Sequence, residues 1–149
     1  EGVVQQIGKP QAVYDDPANL FVARFLGTPP INVFAGQCRG GRLYLGEDAV
    51  LGVSGIADQE VYVGVRPEGF VLCETGSLSC EFGSVEVMGR DISVVSRHGA
   101  SLNPTIRSII SAENRVDAKD GTVRFSLKPQ KVFLFCKETE ERLYGEITE

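Results

Sequence analysis

The sequence predicts a mainly β protein, a barrel or sandwich of short strands behind a helical N-terminal segment. Short stretches rich in Val, Ile, Phe and Tyr recur about every ten residues from Ile31 onward, as half-buried strands require. The 17 glycines and 7 prolines supply turns between them. The helical pattern is confined to residues before the Thr28-Pro29-Pro30 break.

At the start, Val3 to Gly8 reads as a short strand closed by a glycine turn. Pro10 then opens a short helix through Tyr14, and Asp15-Asp16-Pro17 starts another. The Asp16 carboxylate is placed to accept from the first N–H groups, and Pro17 suits the first helical position. This second helix is expected to run from Ala18 to Leu26 and to stop at Gly27, where a positive φ ends a helix without steric cost. Leu20, Phe21, Val22, Phe25 and Leu26 leave it little polar surface beyond Asn19 and Arg24. Phe21 and Phe25 are four residues apart and share one side. A helix this apolar needs cover on more than one side, so core packing and a bracket between two domains both fit.

Beyond the prolines the period changes to two. Asn32 to Cys38 and Arg42 to Leu45 flank the Gly40-Gly41 turn as a hairpin. In Gln59 to Arg66, Val61, Val63 and Val65 share one face, with Tyr62 and Gly64 on the other. Phe70 to Cys73 follows the Pro67-Glu68-Gly69 turn. Leu78 to Met88 bends back at Gly89 into Ile92 to Ser96. Thr105 to Ser111 and Thr122 to Leu127 are separated by the Lys119-Asp120-Gly121 turn. Val132 to Phe135, apolar at every position, reads as a strand buried on both faces, and Leu143-Tyr144 as a short edge.

Composition bounds the function. The net charge of −5 argues against a nucleic-acid partner, which calls for a basic face. The Lys137 to Arg142 run mixes signs and reads as a solvated turn. No apolar run reaches the roughly 20 residues of a membrane-spanning helix. The N-terminus lacks a secretion-signal pattern and the first residue is not Met, which suggests a piece of a longer chain. Cys38, Cys73, Cys80 and Cys136 lack metal-site spacing and read as buried free thiols of a reducing compartment. No metal site is expected.

Catalytic patterns are missing. No glycine-rich string precedes Lys-Ser or Lys-Thr to cradle a phosphate, and no dinucleotide-binding glycine pattern opens a helix. His98 is the single histidine, and Ser96-Arg97-His98-Gly99 reads as a polar loop with an exposed ring. The adjacent acids Asp15-Asp16 and Glu140-Glu141 do not converge on one bond. An enzyme acting alone is not expected, and no catalytic residue is assigned.

The stretch from Gly2 to Asn32 carries a strand ending Gly8-Lys9-Pro10, then Tyr14, Pro17, the Phe21-Val22-Ala23 string and Gly27-Thr28-Pro29-Pro30-Ile31-Asn32. In that order these elements resemble the end of the nucleotide-binding domain in maltose- and glycerol-phosphate-type ABC import ATPases. Val63-Gly64-Val65-Arg66-Pro67-Glu68 is similar to the family's Gly-x-Arg-Pro-Glu motif, and Val85-Glu86-Val87-Met88-Gly89 to its Val-Glu-x-x-Gly string. Phe133-Leu134-Phe135 stands where that family has its last strand. Gly69 departs from the family's His or Asp after Arg-Pro-Glu, and residues 92–120 match only loosely.

The resemblance implies a division at residue 30. Residues 1–30 would end a nucleotide-binding domain and its helical linker; residues 31–149 would form a transport-associated OB-like barrel of Greek-key type. It further implies a dimerisation and regulatory role without ATP hydrolysis by this segment, ATP and Mg belonging to the missing N-terminal domain. The implied partners are a second ATPase subunit, membrane permease subunits and, in some members, a regulatory protein. The implied setting is the inner face of the cell membrane, serving uptake of a sugar or related solute. Phe21, Phe25, Gly27, Asn32, Arg66 and Glu68 are the candidate interface and structural residues. Asn32 would cap the entry to the barrel. Arg66 and Glu68 would lock a turn or meet a partner. The competing reading is an OB-fold binding module for a small solute, an anion or single-stranded nucleic acid, for which Phe34, Tyr44, Tyr62 and Phe70 supply aromatic surface.

Overall fold

A computed structural model describes residues 16–25, 30–116, 118 and 120–149, with the backbone alone for Val22 and Phe25. The expected strand at 3–8, the helix at 10–14 and Gly27 lie outside the described residues. The first described element is a short helix, α1 (Leu20–Phe25). Five strands follow: β1 (Asn32–Arg39), β2 (Arg42–Leu45), β3 (Asp48–Ser54), β4 (Gln59–Val65) and β5 (Phe70–Leu72). After them come β6 (Leu78–Met88), β7 (Asp91–Arg97), β8 (Ile106–Ser111) and β9 (Thr122–Leu127). The chain closes with β10 (Val132–Cys136), β11 (Arg142–Leu143) and β12 (Glu146–Thr148).

The strands form two curled antiparallel sheets, ordered β11-β10-β4-β1-β2-β3-β12 and β5-β9-β6-β7-β8. Their facing sides share one core: Phe34, Leu43, Leu45, Val63 and Leu134 from the first meet Leu78, Val94, Ile106 and Phe125 from the second. This is the OB-like β architecture that the family resemblance implies.

The central strands β4 and β10 are buried on both faces, as the unbroken apolar run of β10 predicts. Val61, Val63 and Val65 point into the shared core with Val132 and Leu134. The opposite face carries a second, smaller core of Leu20, Ala23, Ile31, Val33, Phe133 and Phe135, with Tyr62 packed against it. Gly64 makes this layer possible, because a Cβ there would lie 2.7 Å from the Ile31 Cδ1 atom. The apolar helix α1 therefore lies on the outer face of the larger sheet.

Three expectations need correction. The helix begins at Leu20, two residues after Ala18, so Pro17 is not its first residue. The chain there is tied to the turn before β11 instead: Arg142 N–H donates to the Ala18 carbonyl (2.9 Å), and Leu20 N–H donates to that of Glu140 (3.0 Å). Asn19 bridges Glu141. These tertiary bonds outweigh the local start signal. Strands β3 and β12 were not anticipated. Gly52 interrupts the β3 pattern, a bulge at Leu43/Tyr44 shifts its register with β2, and β12 offers one apolar residue, Ile147. Finally, only Cys38 and Cys80 are buried; Cys73 and Cys136 are partly exposed, and all four are free thiols.

Candidate interface at the helix–sheet junction

The candidate residues converge where β4 ends. The pleat that sends Val65 inward brings the chain to Arg66, whose side chain is fully buried. Its Nη1 donates to the Ala23 carbonyl at 3.1 Å. That carbonyl lies in the last turn of α1, where backbone acceptors have no partner within the helix. The same guanidinium lies 5.7 Å from the Phe133 ring centroid. Glu68, two residues on, lies 3.5 Å from Lys131 Nζ. This pair joins the two single-turn 3-10 helices, Pro67–Gly69 and Pro129–Lys131.

Asn32 opens β1 on the other side of Val65. It is 4% exposed, and its Nδ2 donates to the carbonyls of Val65 (3.2 Å) and Arg107 (2.9 Å). Its Oδ1 accepts from Arg107 N–H at 3.0 Å. At the entry to β1, the Asn32 side chain thus binds the larger sheet to β8 of the smaller one. On α1, Leu20 and Ala23 are buried, while Phe21 is 48% exposed. Phe25 closes the helix, and its side chain is not among those described. The structure therefore gathers Asn32, Arg66 and the α1 backbone into one junction. Glu68 stands at its margin and Phe21 on its outside.

Sequence reasoning missed Arg142 and Phe133. The run ending at Arg142 reads as a solvated turn, yet the Arg142 side chain is 14% exposed. Its guanidinium lies 4.7 Å from the Phe133 ring and 4.8 Å from the Tyr144 ring. Its Nη1 donates to Asp16 Oδ1 (2.6 Å) and to the Pro17 carbonyl (3.0 Å). Asp16 is 126 residues away in sequence, so local charge pattern carried no trace of this pairing.

His98 also differs from expectation. Its side chain is 10% exposed, not an exposed loop ring. Its Nδ1 accepts from Ala100 N–H at 3.0 Å, which leaves Nε2 as the donor to Asp48 Oδ2, also at 3.0 Å. Both ring nitrogens are engaged in holding the 98–100 loop against β3. Asp48 Oδ2 accepts in addition from Ser79 N–H. Among the described residues, no group of three or more His, Cys, Asp or Glu is placed to hold a metal ion.

Thiol chemistry follows position. Burial pushes Cys80 from the ordinary 9.0 up to about 12, and burial followed by the Asp58 charge raises Cys38. Hydrogen bonds from Thr75 lower Cys73, and hydrogen bonds from Thr139 and Glu138 lower Cys136. Cys73 Sγ lies 3.3 Å from Thr75 Oγ1, beside a cavity of about 510 Å³ that also reaches Asn114, Arg115 and Arg124.

A two-sheet OB-like β fold with an apolar helix fixed to its outer face is consistent with a transport-associated domain. No protein-family profile matches the chain. It is 32% identical over 143 residues to the sn-glycerol-3-phosphate import ATP-binding protein of a Ruegeria species, covering 95% of this chain and 40% of that protein. It is 32% identical over 162 residues to the oligosaccharides import ATP-binding protein of Bacillus subtilis, covering 96% and 42%. It is 29% identical over 171 residues to the diacetylchitobiose uptake system ATP-binding protein of Streptomyces coelicolor, covering 96% and 44%. The chain thus spans about 40% of the length of the curated relatives it matches. The chain corresponds to the C-terminal part of these ABC importer ATP-binding proteins.

Proposed function

We propose that the chain is the C-terminal dimerisation and regulatory domain of an importer ATPase subunit serving uptake of a sugar or related solute. Residues 1–30 end the nucleotide-binding domain and form its linker, and residues 31–149 are the regulatory barrel. ATP and Mg act in the preceding domain, and this segment contributes no hydrolysis. Its partners are a second ATPase subunit, the membrane permeases and, where regulation is exerted, an inhibitory protein. The assembly works on the cytoplasmic side of the cell membrane.

The observation that carries this reading is α1. Leu20 and Ala23 are buried against the sheet, but Phe21 is 48% exposed on a helix whose exposed residues otherwise include Arg24. In this reading a neighbouring domain covers the Phe21 ring. The test is sedimentation of the full-length subunit, of a version ending at residue 30, and of Phe21→Ser, each with and without ATP. The full-length protein is expected to remain dimeric in both nucleotide states, and the truncated one to dissociate when ATP is removed. Equal behaviour of these two would refute the dimerisation role. Phe21→Ser is expected to lower the unfolding temperature of the full-length subunit.

The cavity beside Cys73 favours one alternative, a small-anion site that uses Arg115 and Arg124. Melting curves with phosphate or sulfate would test it, and a melting temperature indifferent to either would dismiss it.

A further inference from the structure

We propose that Arg66 and Arg142 strap residues Asp16–Phe25 to the barrel through Phe133, so that strap and barrel move as one body. Phe133 lies on β10, between β4 and β11. Arg66, which follows β4, and Arg142, on β11, therefore approach the same ring from the two neighbouring strands. Each guanidinium also holds the strap. Arg142 grips its start at Asp16 and Pro17, and Arg66 grips its end at the Ala23 carbonyl. Between these points the backbone is tied to the β10–β11 turn by the Leu20–Glu140 and Ala18–Arg142 hydrogen bonds.

Arginine suits both positions. Its planar, permanently charged group stacks on an aromatic ring while its N–H groups donate within the ring plane's reach to carbonyl or carboxylate oxygens. The strap is thus a fixed coupling, not a hinge. The inference rests on the reading that an ATPase domain precedes it: displacement of that domain reaches the barrel without being absorbed between Asp16 and Phe25.

The test uses the full-length subunit with Cys73 and Cys136 changed to Ser. Spin labels are attached at Arg24→Cys on the strap and Arg42→Cys on β2, both exposed positions. One narrow distance distribution, the same without nucleotide and with bound ATP, is expected. A distance that changes with nucleotide would overturn the proposal. Arg142→Ala and, separately, the milder Asp16→Ala are each expected to broaden the distribution at least twofold. A width unchanged in both would show that the clamp does not hold the strap. Sedimentation reads dimerisation separately, so loss of that function leaves the label distance to be judged by itself.

Discussion

Asn32 and Arg107, one in each sheet, exchange hydrogen bonds: the Asn32 Nδ2 donates to the Arg107 carbonyl at 2.9 Å, and Arg107 N–H donates to Asn32 Oδ1 at 3.0 Å. The side-chain amide imitates a backbone rung across a gap that no strand pairing spans. Asn32→Ala would leave an N–H and two carbonyls short of a partner and is expected to cost about 3 kcal/mol. Asn32→Asp keeps an acceptor but loses the donor, so it is expected to fare little better. Urea unfolding of both variants checks this, and a midpoint unchanged in Asn32→Ala would contradict it.

Ser108 makes the opposite case. Its side chain is fully buried on β8, and its Oγ has no hydrogen-bond partner among the described residues. A buried hydroxyl without a partner is destabilising, so Ser108→Ala is expected to raise stability by about 1 kcal/mol and the melting temperature by about 3 °C. Calorimetry gives the sign.

The four thiols should separate by reactivity. Cys73 and Cys136 are shifted toward the thiolate and partly exposed, so an alkylating reagent is expected to label them in the native state. Cys38 and Cys80 should react only after unfolding. Mass spectrometry after timed alkylation distinguishes the pairs.

Cys80 also sets an alkaline limit. Its folded value of about 12 exceeds the ordinary 9.0, so the unfolded chain loses this proton first as pH rises. The contribution is intact below pH 9 and falls as pH rises between the two values. Cys80→Ala should flatten the stability profile in that window relative to the parent; equal slopes would contradict the assignment.

Gly76 marks the point where the chain crosses β9 between β5 and β6. A Cβ there would lie 2.4 Å from the carbonyl carbon and oxygen of Phe125. Backbone cannot yield as a side-chain end does, so Gly76→Ala is expected to cost about 3 kcal/mol or more. A thermal scan reads this directly, whereas Gly99→Ala, with open space around it, serves as the neutral control.

Strand β9 was legible residue for residue, because Thr122 to Leu127 alternates cleanly and sits behind a turn. The double burial of β10 was legible from its composition. Strand β12 was not, since its order comes from three pairings with β3 rather than from its own residues. The same limit applies at the junction. Arg66 and Asn32 stood out beside Pro67 and after Pro30, but their partners lie 43 and 75 residues away. Arg142 was hidden among surface-like charges, and only the fold places Phe133 and Asp16 around it. Local chemistry selects candidates, while long-range pairing decides which are used.

The alternation of β4 and β10 between two cores limits how this domain can change length. Moving either strand by one residue would exchange its faces, turning Tyr62 and Phe133 inward and Val63 and Leu134 toward α1. Neither layer could accept the other's volumes. Insertions of a single residue should therefore be lethal in these two strands and harmless at the β6–β7 tip, where Val87 and Met88 are already exposed to solvent. Variation in size among domains of this shape is expected to accumulate at that hairpin.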